Sequence, residues 1–566
     1  MRPPKRARLL PGRALAASGL VAVVTAAATL LQVAATPGPS PSASPPLSPS
    51  SAAPTPPPMP TPVSPAPKAP PPQPPPQLTP EDVDAAIGRL DGIVEDAMRR
   101  TGVPGAAVGV VYRDRVVHLK GFGERQAGRS GKVGPDTVFQ LASLSKPLAS
   151  TVVAGVVGGE GIGWDDPVAA HLPEFALKDP WVTRHVTVAD LFSHRSGLPD
   201  HAGDLLEDLG YDRSYILGRL RYEPLEPFRA DYAYTNFGLT AAAEAVARAE
   251  GVPWEKLSED TLYRPAGMND TSSEFGDYER AADKAVPHVR SADGSWRADF
   301  VRDADAQSPA GGVSSTARDM TRWMRLQLAD GKLDGRQIID ADNLNRTHLP
   351  GIVARPPAAP AGRTGFYGLG WNVGYDDLGR LRLSHSGAFA LGANTNVTML
   401  PGEQLGIVVL TNGQPVGMAD AIALTFFDTA QHGEPTTDWL PLVGDVYAKE
   451  EEAATSPTDY TRPPADAAPA RADGAYTGTY ENDYFGELVV TADEKGRLAV
   501  RLGPERTRFP LTHYDGDTFS FATTGENAVG LTGVGFTVGN GSTADKVRVE
   551  YLDENGLGTF VRASGG

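Results

Sequence analysis

The sequence predicts an α/β or α+β fold, in which a mixed sheet and helices form one domain, followed by a small antiparallel β-barrel domain. Three observations indicate this. Segments with apolar residues at helical spacing alternate with short apolar runs between about residues 79 and 430. A stretch rich in Ala, Pro and Thr interrupts that pattern at 453–472. Beyond it, short β-type runs are separated by Gly, Asp and Asn.

The first 78 residues do not have the composition of a folded domain. Five basic residues within positions 1–13 precede an uncharged run, 14–35, that ends in small residues. Residues 1–35 are therefore expected to be a signal peptide or an uncleaved signal anchor, because the run is long enough to span a bilayer. Residues 36–78 are almost entirely Pro, Ser, Ala and Thr, and predict a disordered linker. We expect a secreted or extracytoplasmic protein whose N-terminal segment allows association with a membrane or cell wall.

The main domain is predicted at 79–452 and begins with a helix. Thr79 is a good N-cap, Pro80 suits the first helical position, and apolar residues follow at helical spacing to Ala97. A hairpin is expected next, with strands at 106–112 and 116–122. Further elements follow from the same patterns: helices at 148–157, 239–249 and 317–328, and strands at 381–384, 394–399 and 405–411.

The second domain, predicted at 473–566 after a linker at 453–472, is all β. Short β-type runs with regular turn signals are typical of a small antiparallel barrel or sandwich. The predicted strands are 476–481, 486–492, 497–502, 507–513, 517–522, 531–538, 546–552 and 558–561.

Charge and composition exclude several classes of function. The chain of 566 residues carries a formal net charge of -17, which argues against binding to nucleic acid. It contains no cysteine, so disulfides and thiolate metal sites are excluded. No cofactor and no metal site are predicted.

Ser143 and Lys146 form the only S-x-x-K pattern in the chain, within Phe139-Gln-Leu-Ala-Ser-Leu-Ser-Lys-Pro-Leu-Ala149. On a helix, this spacing brings the lysine amine beside the serine hydroxyl. A lysine held in an apolar pocket can lose its charge and take the serine proton, which makes the serine a nucleophile. The alternative is that the serine caps a helix and the lysine is a solvated surface charge.

Two further polar motifs accompany this pair. In Tyr234-Thr-Asn236, a tyrosine hydroxyl near a lysine can relay a proton, and an asparagine amide can orient a substrate amide. The same pattern at Tyr480-Glu-Asn482 lies in the β domain, and we interpret it as turn and strand surface. His385-Ser-Gly387 follows a predicted strand, where backbone N–H groups can face a substrate. His201-Ala-Gly203 has similar letters but follows a loop, so His385 is preferred, although a structural histidine is an equal alternative.

In this order, the three motifs resemble those of the serine β-lactamase and penicillin-binding protein family. The closest resemblance is to its class C-like branch, which includes D-amino-acid peptidases and esterases. Segments 191–199, 308–319 and 367–371 also resemble this branch, so the resemblance covers about residues 80–430. It implies a β-lactamase-like mixed sheet with an all-helical subdomain. Residues 474–482 resemble a lipocalin-like β domain that is appended to some members.

The resemblance also implies an acyl-transfer mechanism. Ser143 attacks a carbonyl group, and Lys146 and Tyr234 share the proton, with either as the first base. Asn236 holds the substrate, the backbone N–H groups of Ser143 and Ala388 form the oxyanion hole, and His385, Ser386 and Gly387 form the substrate-binding strand motif. The branch's K-T-G strand is replaced here by His-Ser-Gly. An unperturbed histidine is about a quarter charged at pH 7, which weakens the case for a dedicated β-lactamase acting on carboxylate-bearing substrates.

The sequence therefore favours an exported serine hydrolase acting on an amide or ester in a small-molecule or peptide substrate. A peptidase for D-amino-acid or cell-wall peptides is placed ahead of an esterase. The alternatives are a non-catalytic or penicillin-binding recognition protein of the cell envelope, and a ligand carrier built on the C-terminal barrel. The substrate, the first base and the role of the C-terminal domain stay open at this point.

Overall fold

The computed structural model describes residues 77–159, 161–359 and 362–564. The predicted export segment at 1–35 and nearly all of the predicted linker at 36–78 lie outside the described residues. Within the described part, no helix is both long and apolar enough to cross a membrane. The described residues contain two large sheets, each with its own surrounding elements.

The first sheet has eight strands in the spatial order β2-β1-β8-β7-β6-β5-β4-β3. Every pairing between neighbouring strands is antiparallel, so this sheet is antiparallel where the sequence predicts a mixed one. The strands are β1 (Gly105–Tyr112), β2 (Arg115–Gly123), β3 (Ile352–Arg355), β4 (Gly365–Tyr367), β5 (Asn372–Tyr375), β6 (Leu381–Phe389), β7 (Ala393–Leu400) and β8 (Leu405–Thr411). The β1–β2 hairpin turns at Arg113 and Asp114, both in the left-handed region.

Six longer helices pack around this sheet or beside it. They are α1 (Pro80–Thr101), α2 (Ser145–Val156), α3 (Asn236–Glu250), α4 (Ala317–Leu328), α5 (Met418–His432) and α6 (Trp439–Ala454). Shorter helices lie at Val168–His171, Pro180–His185, Val188–Phe192, Asp204–Asp208, Arg213–Arg219, Trp254–Ser258, Arg264–Ala266, Phe275–Arg280 and Ala341–Thr347. Most of these short helices join α2 and α3 in the helical part of the domain.

Helix α1 begins and ends where its sequence predicts. The Thr79 side chain accepts from the backbone of Asp82 in a capping box, and Gly102 ends the helix in the left-handed conformation. Its buried face, which includes Val83, Leu90 and Val94, packs with α5 on one side of the sheet. Each such buried side chain stabilises the fold by roughly 1.5–3 kcal/mol.

Helix α4 covers the other face of the sheet, and α2 and α3 extend the same core. Met320, Trp323 and Met324 of α4 are fully buried in the cluster that also contains Val408 and Leu410 of β8. Side chains of β8 alternate between this cluster and the one on the α1–α5 side, as expected for a strand covered on both faces.

The second sheet has nine strands in the order β12-β11-β10-β9-β17-β16-β15-β14-β13. They are β9 (Gly478–Asn482), β10 (Gly486–Ala492), β11 (Leu498–Leu502), β12 (Thr507–Pro510), β13 (Thr512–Asp515), β14 (Thr518–Ala522), β15 (Leu531–Val538), β16 (Ala544–Val549) and β17 (Thr559–Arg562). The run predicted as one strand at 507–513 is divided at Leu511 into the two edge strands of the sheet. Because these edges are consecutive in the chain, the sheet forms a nearly closed barrel, which confirms the predicted all-β domain.

Candidate active site

Ser143 lies on a short turn, Ala142–Leu144, immediately before α2. Ala142 has a φ of 50°, a left-handed conformation that costs a residue with a side chain about 1 kcal/mol or more. Neighbouring elements hold this turn: Leu141 N donates to Val313 O, and Ala142 packs with Phe389 and Ala393. The sequence predicts a helix at 148–157, whereas α2 begins at Ser145, so Ser143 lies just before that helix and its spacing to Lys146 is kept.

Lys146 is fully buried, and its amine touches three oxygens. Nζ lies 3.1 Å from Ser143 Oγ, 2.7 Å from Asn236 Oδ1 and 3.0 Å from Ala310 O. The last two oxygens can only accept, while the serine hydroxyl can donate. A neutral amine fits this arrangement, because its two N–H groups face Asn236 and Ala310 and its lone pair faces Ser143.

Electrostatics favour the neutral amine. Burial lowers the pKa of Lys146 well below its usual range; the Asp204 charge acts against this and Arg302 acts with it. The lysine is therefore a buried group beside the serine, and the alternative of a solvated surface charge is excluded.

Tyr234 faces the same lysine through its ring. Nζ of Lys146 lies 4.5 Å from the ring centroid, and the tyrosine hydroxyl is buried without a hydrogen-bond partner among the described residues. Burial raises the pKa of Tyr234 well above its usual value, and the Ser143 hydroxyl acts in the opposite direction. The tyrosine is therefore held protonated, close to both Ser143 and Lys146.

Asn236, the first residue of α3, is fixed by a carboxylate that sequence reasoning missed. Its Nδ2 donates to Asp204 Oδ2 at 2.8 Å, which orients its Oδ1 toward Lys146. The same carboxylate oxygen lies 2.8 Å from His201 Nδ1. Burial, the largest single effect, lowers the pKa of His201, but the hydrogen bond to Asp204 and the charges of Asp204, Asp200 and Glu554 together outweigh it, and the pKa is raised. His201, which was passed over in favour of His385 because it follows a loop, therefore supports Asn236 through Asp204.

The segment 191–199 positions Tyr234 rather than contacting Ser143. Ala233 N donates to His194 O at 3.0 Å, and Thr235 N donates to His194 Nδ1 at 3.2 Å. The His194 ring centroid lies 4.4 Å from that of Tyr234 and 4.8 Å from that of Tyr367. Burial lowers the pKa of His194 well below its usual value, so this histidine is a neutral packing and hydrogen-bonding group.

His385 lies within β6, not after it, because the strand continues to Phe389. Its Nε2 is 2.9 Å from the Tyr367 hydroxyl and its Nδ1 is 2.8 Å from Ser386 O. Burial, together with the nearby Lys146, lowers the pKa of His385 to about 3. The expectation that this histidine is partly charged at pH 7 is therefore wrong: it is a neutral side chain.

Ser386, Gly387 and Ala388 follow His385 in β6. The Cα of Gly387 faces the turn that carries Ser143, whereas the side chains of Ser386 and Ala388 lie on the other face of the sheet. Beyond Ser384, β6 pairs only with β7 among the described strands, so its other edge is open beside the turn at Ala142. Gly387 makes this approach possible, since a Cβ atom there would lie 2.1 Å from Leu141 O and 3.1 Å from Ala142 Cβ.

The side chains of Ser386 and Ala388 lie on the opposite face of the sheet. The Ser386 hydroxyl donates to Asp420 of α5 and accepts from Asn396 Nδ2 at 2.8 Å, while Ala388 packs with Ala421 of α5. The structure therefore does not bring the Ser386 hydroxyl together with Ser143, because side chains alternate along a strand. These two residues can reach a substrate only through their backbone.

No group of three or more His, Asp or Glu side chains within residues 77–159, 161–359 and 362–564 could hold a metal ion. The described site brings together a serine, a buried lysine whose pKa is lowered, a protonated tyrosine and backbone N–H groups. Such a set can carry out acyl transfer, with the serine as nucleophile.

Comparison with known families decides the classification. Residues 90–427 match the model of the beta-lactamase family. The chain belongs to that family. Residues 462–559 match a second model, described as a domain of unknown function (DUF3471). The likeness of the barrel to lipocalins stays a prediction.

Individual relatives agree with this family. The chain is 28% identical to penicillin-binding protein 4 of Amycolatopsis lactamdurans, over 69% of this chain and 96% of that one. It is 25% identical to the D-alanyl-D-alanine-carboxypeptidase/endopeptidase AmpH of Escherichia coli K12, over 57% of this chain and 84% of that one. The structure of the octameric penicillin-binding protein homologue from Pyrococcus abyssi superposes with a TM-score of 0.54 at 17% identity, covering 84% of this chain and all of that one.

This member of the beta-lactamase family is a serine hydrolase. Its α+β fold with an appended β-barrel confirms the fold class that the sequence predicts.

Proposed function

We propose that this hydrolase cleaves an amide or ester bond through an acyl-enzyme on Ser143, and that it acts outside the cytoplasm on D-amino-acid or cell-wall peptides. The observation that carries the catalytic part is the buried Lys146 amine, 3.1 Å from Ser143 Oγ, with its two other contacts made to oxygens that only accept. This arrangement leaves the lone pair of a neutral amine for the serine proton.

The mechanism follows from that contact. Lys146 takes the proton of Ser143 as Oγ attacks the substrate carbonyl, and the oxyanion accepts hydrogen bonds from the backbone N–H groups of Ser143 and Ala388. Tyr234, held protonated, gives its proton to the leaving group. Lys146 then passes the proton taken from Ser143 to Tyr234. Water then attacks the ester of Ser143. The same groups take the proton of the water molecule and return a proton to Ser143 Oγ. Losing one oxyanion donor typically costs 10²–10³ in rate.

Two observations favour a peptide over a β-lactam as the natural substrate. AmpH, a relative, is named a carboxypeptidase and endopeptidase for D-alanyl-D-alanine. His385 is neutral, so this strand carries no permanent cation for a substrate carboxylate, whether that of a β-lactam or that of a peptide C-terminus, which favours an internal peptide bond over both. An esterase is the second candidate, because an acyl-enzyme on Ser143 forms equally from an ester.

Labelling the purified full chain with a fluorophosphonate tests the nucleophile. Wild type should react with one equivalent at Ser143, and Ser143→Ala should not react. Ser145→Ala, at the first residue of α2, is the control: it removes a hydroxyl that donates to Ala142 O and accepts from Val313 N, and it should still be labelled at Ser143. Stoichiometric labelling of the Ser143→Ala protein would show that Ser143 is not the nucleophile.

Turnover of D-amino-acid p-nitroanilides and p-nitrophenyl esters then separates peptidase from esterase. If the protein binds a fluorescent penicillin but turns over none of these substrates, it is a recognition protein of the envelope instead. Export is tested by fractionating producer cells and sequencing the N-terminus of the protein. A mature chain beginning near Thr36 supports a cleaved signal peptide, and an intact N-terminus in the membrane fraction supports an anchor.

A further inference from the structure

A loop of the barrel contacts the catalytic domain beside the site. This loop, residues 523–530, joins β14 to β15, and we call it the barrel loop. Its Glu526 side chain accepts hydrogen bonds from Ala390 N at 2.7 Å and from Leu391 N at 3.3 Å. Those two residues form the turn that follows β6 directly. A carboxylate from the barrel therefore holds the end of the strand that carries Ala388.

Glu526 is also linked to the turn that carries Ser143. One of its oxygens lies 3.2 Å from Arg302 Nη1, and the Arg302 guanidinium lies 4.5 Å from the centroid of the Phe389 ring. Phe389, the last residue of β6, packs against Ala142 in a small apolar cluster. The Glu526 carboxylate is thus connected to Ala142 through Arg302 and Phe389.

The backbone of the barrel loop is held by the opposite wall of the site. Asp208 accepts from Glu526 N at 3.0 Å and from Asn527 N at 2.8 Å. Asp208 ends the short helix that begins with Asp204, and Asp204 orients Asn236. The loop therefore joins the wall that fixes Asn236 to the wall that provides the strand edge.

We propose that Glu526 is a positioning residue for catalysis, which fixes the end of β6 so that the backbone at Ala388 faces the oxyanion. On this proposal, which rests on the proposed acyl-transfer function, the barrel is part of the catalytic unit. A charged acceptor suits this role, since hydrogen bonds to a carboxylate are shorter and roughly twice as strong as neutral ones.

Glu526→Gln in the full chain tests the proposal. Glutamine keeps the shape, but its amide NH₂ would face either Ala390 N or both Leu391 N and Arg302, so one or two of the three contacts are lost. Arg302 keeps its second carboxylate, Glu207, at 2.5 Å, and the fold should therefore remain intact. We expect kcat for a p-nitrophenyl ester to fall about 10- to 10²-fold, with KM changed less than about twofold, because small misplacements act on the transition state.

Tyr211→Phe is the matched control. It removes another hydrogen bond between the domains, from the Tyr211 hydroxyl to Phe485 O at 2.8 Å, without touching β6. Its kcat should stay within about twofold of wild type. A boronic acid, which forms a tetrahedral adduct with the serine, should lose affinity for Glu526→Gln but not for Tyr211→Phe.

Two results would overturn the proposal: an unchanged kcat and boronic acid affinity in Glu526→Gln, or an equal loss in both variants, which would indicate domain docking alone. Failure of the proposed function is a different result, since wild type itself would then not react with the fluorophosphonate.

Discussion

Gly387 lies where β6 passes closest to the turn that carries Ser143, and one added methyl group tests the importance of that approach. In Gly387→Ala, the Cβ atom would lie 2.1 Å from Leu141 O and 2.4 Å from Thr395 Oγ1. Favourable contacts of carbon atoms occur at about 3.5–4.0 Å, so the strand and the turn must separate by roughly 1 Å. The turn that carries Ser143 and the strand that carries Ala388 would therefore move apart.

The expected effect on catalysis is large and the effect on folding is moderate. A misplacement of about 1 Å can cost 10²-fold in rate, while overpacking of this kind costs about 1–3 kcal/mol of stability. We therefore expect the second-order rate of fluorophosphonate labelling and kcat/KM for a p-nitrophenyl ester to fall about 10²-fold. Thermal unfolding should show a protein that is still folded at the assay temperature.

Gly374→Ala provides the matched control in the neighbouring strand, β5. A Cβ atom there meets nothing within 4 Å, so the same chemical change causes no displacement. Its labelling rate should match wild type within about twofold. If Gly387→Ala reacts as fast as Gly374→Ala, the close approach of β6 to the nucleophile turn has no part in catalysis and our interpretation of the strand fails.

Three further predictions concern the charged and polar groups of the site. Lys146→Ala and Tyr234→Phe should each lower kcat by about 10² or more, and the double variant should lose less than the product because both serve one proton path; additive losses would show independent roles. Asp204→Asn removes a charge that raises the pKa of Lys146, so the acid limb of the pH–kcat/KM profile of this variant should move to lower pH. A limb that moves to higher pH would contradict Lys146 as the base. The pKa of His385 falls from about 6.5 in the unfolded chain to about 3, so the unfolded state binds the proton first and stability falls as pH decreases across that window. Urea unfolding should show a smaller loss between pH 6.5 and 4 in His385→Gln than in wild type, and equal losses would show that this histidine is not held neutral.

Local signals in the sequence were sufficient to predict where several helices and the first hairpin begin and end. The cap at Thr79, the hairpin turn at Arg113 and Asp114, and the bounds of α4 all depend on residues close in the chain. The S-x-x-K spacing also needs only one helical turn. These features are decided by backbone preferences and periodicity, which a single sequence carries.

The errors arose where distant segments decide the structure. The strand β6 continues through His385 and Gly387 because β7 pairs with it, although His-Ser-Gly has the letters of a strand end. The charge of His385 depends on its burial under Tyr367, and the position of Asn236 depends on Asp204. The role argued for Glu526 comes from contacts between domains. No local pattern marks any of these, since each requires knowledge of which segments meet.

The pairing of β1 with β8 has a consequence for how this chain folds. Ala106 near the start of the domain pairs with Thr411 near its end, and β1 lies between β2 and β8 in the sheet. The hairpin of β1 and β2 therefore emerges from the ribosome long before β8. One edge of β1 stays unpaired until β8 has been synthesised. Such long-range pairing makes folding slow and exposes apolar strands to aggregation until the chain is complete. Refolding from denaturant should accordingly show a slow phase in which the α1 side of the sheet and the Ser143 site form together, after the locally connected helices.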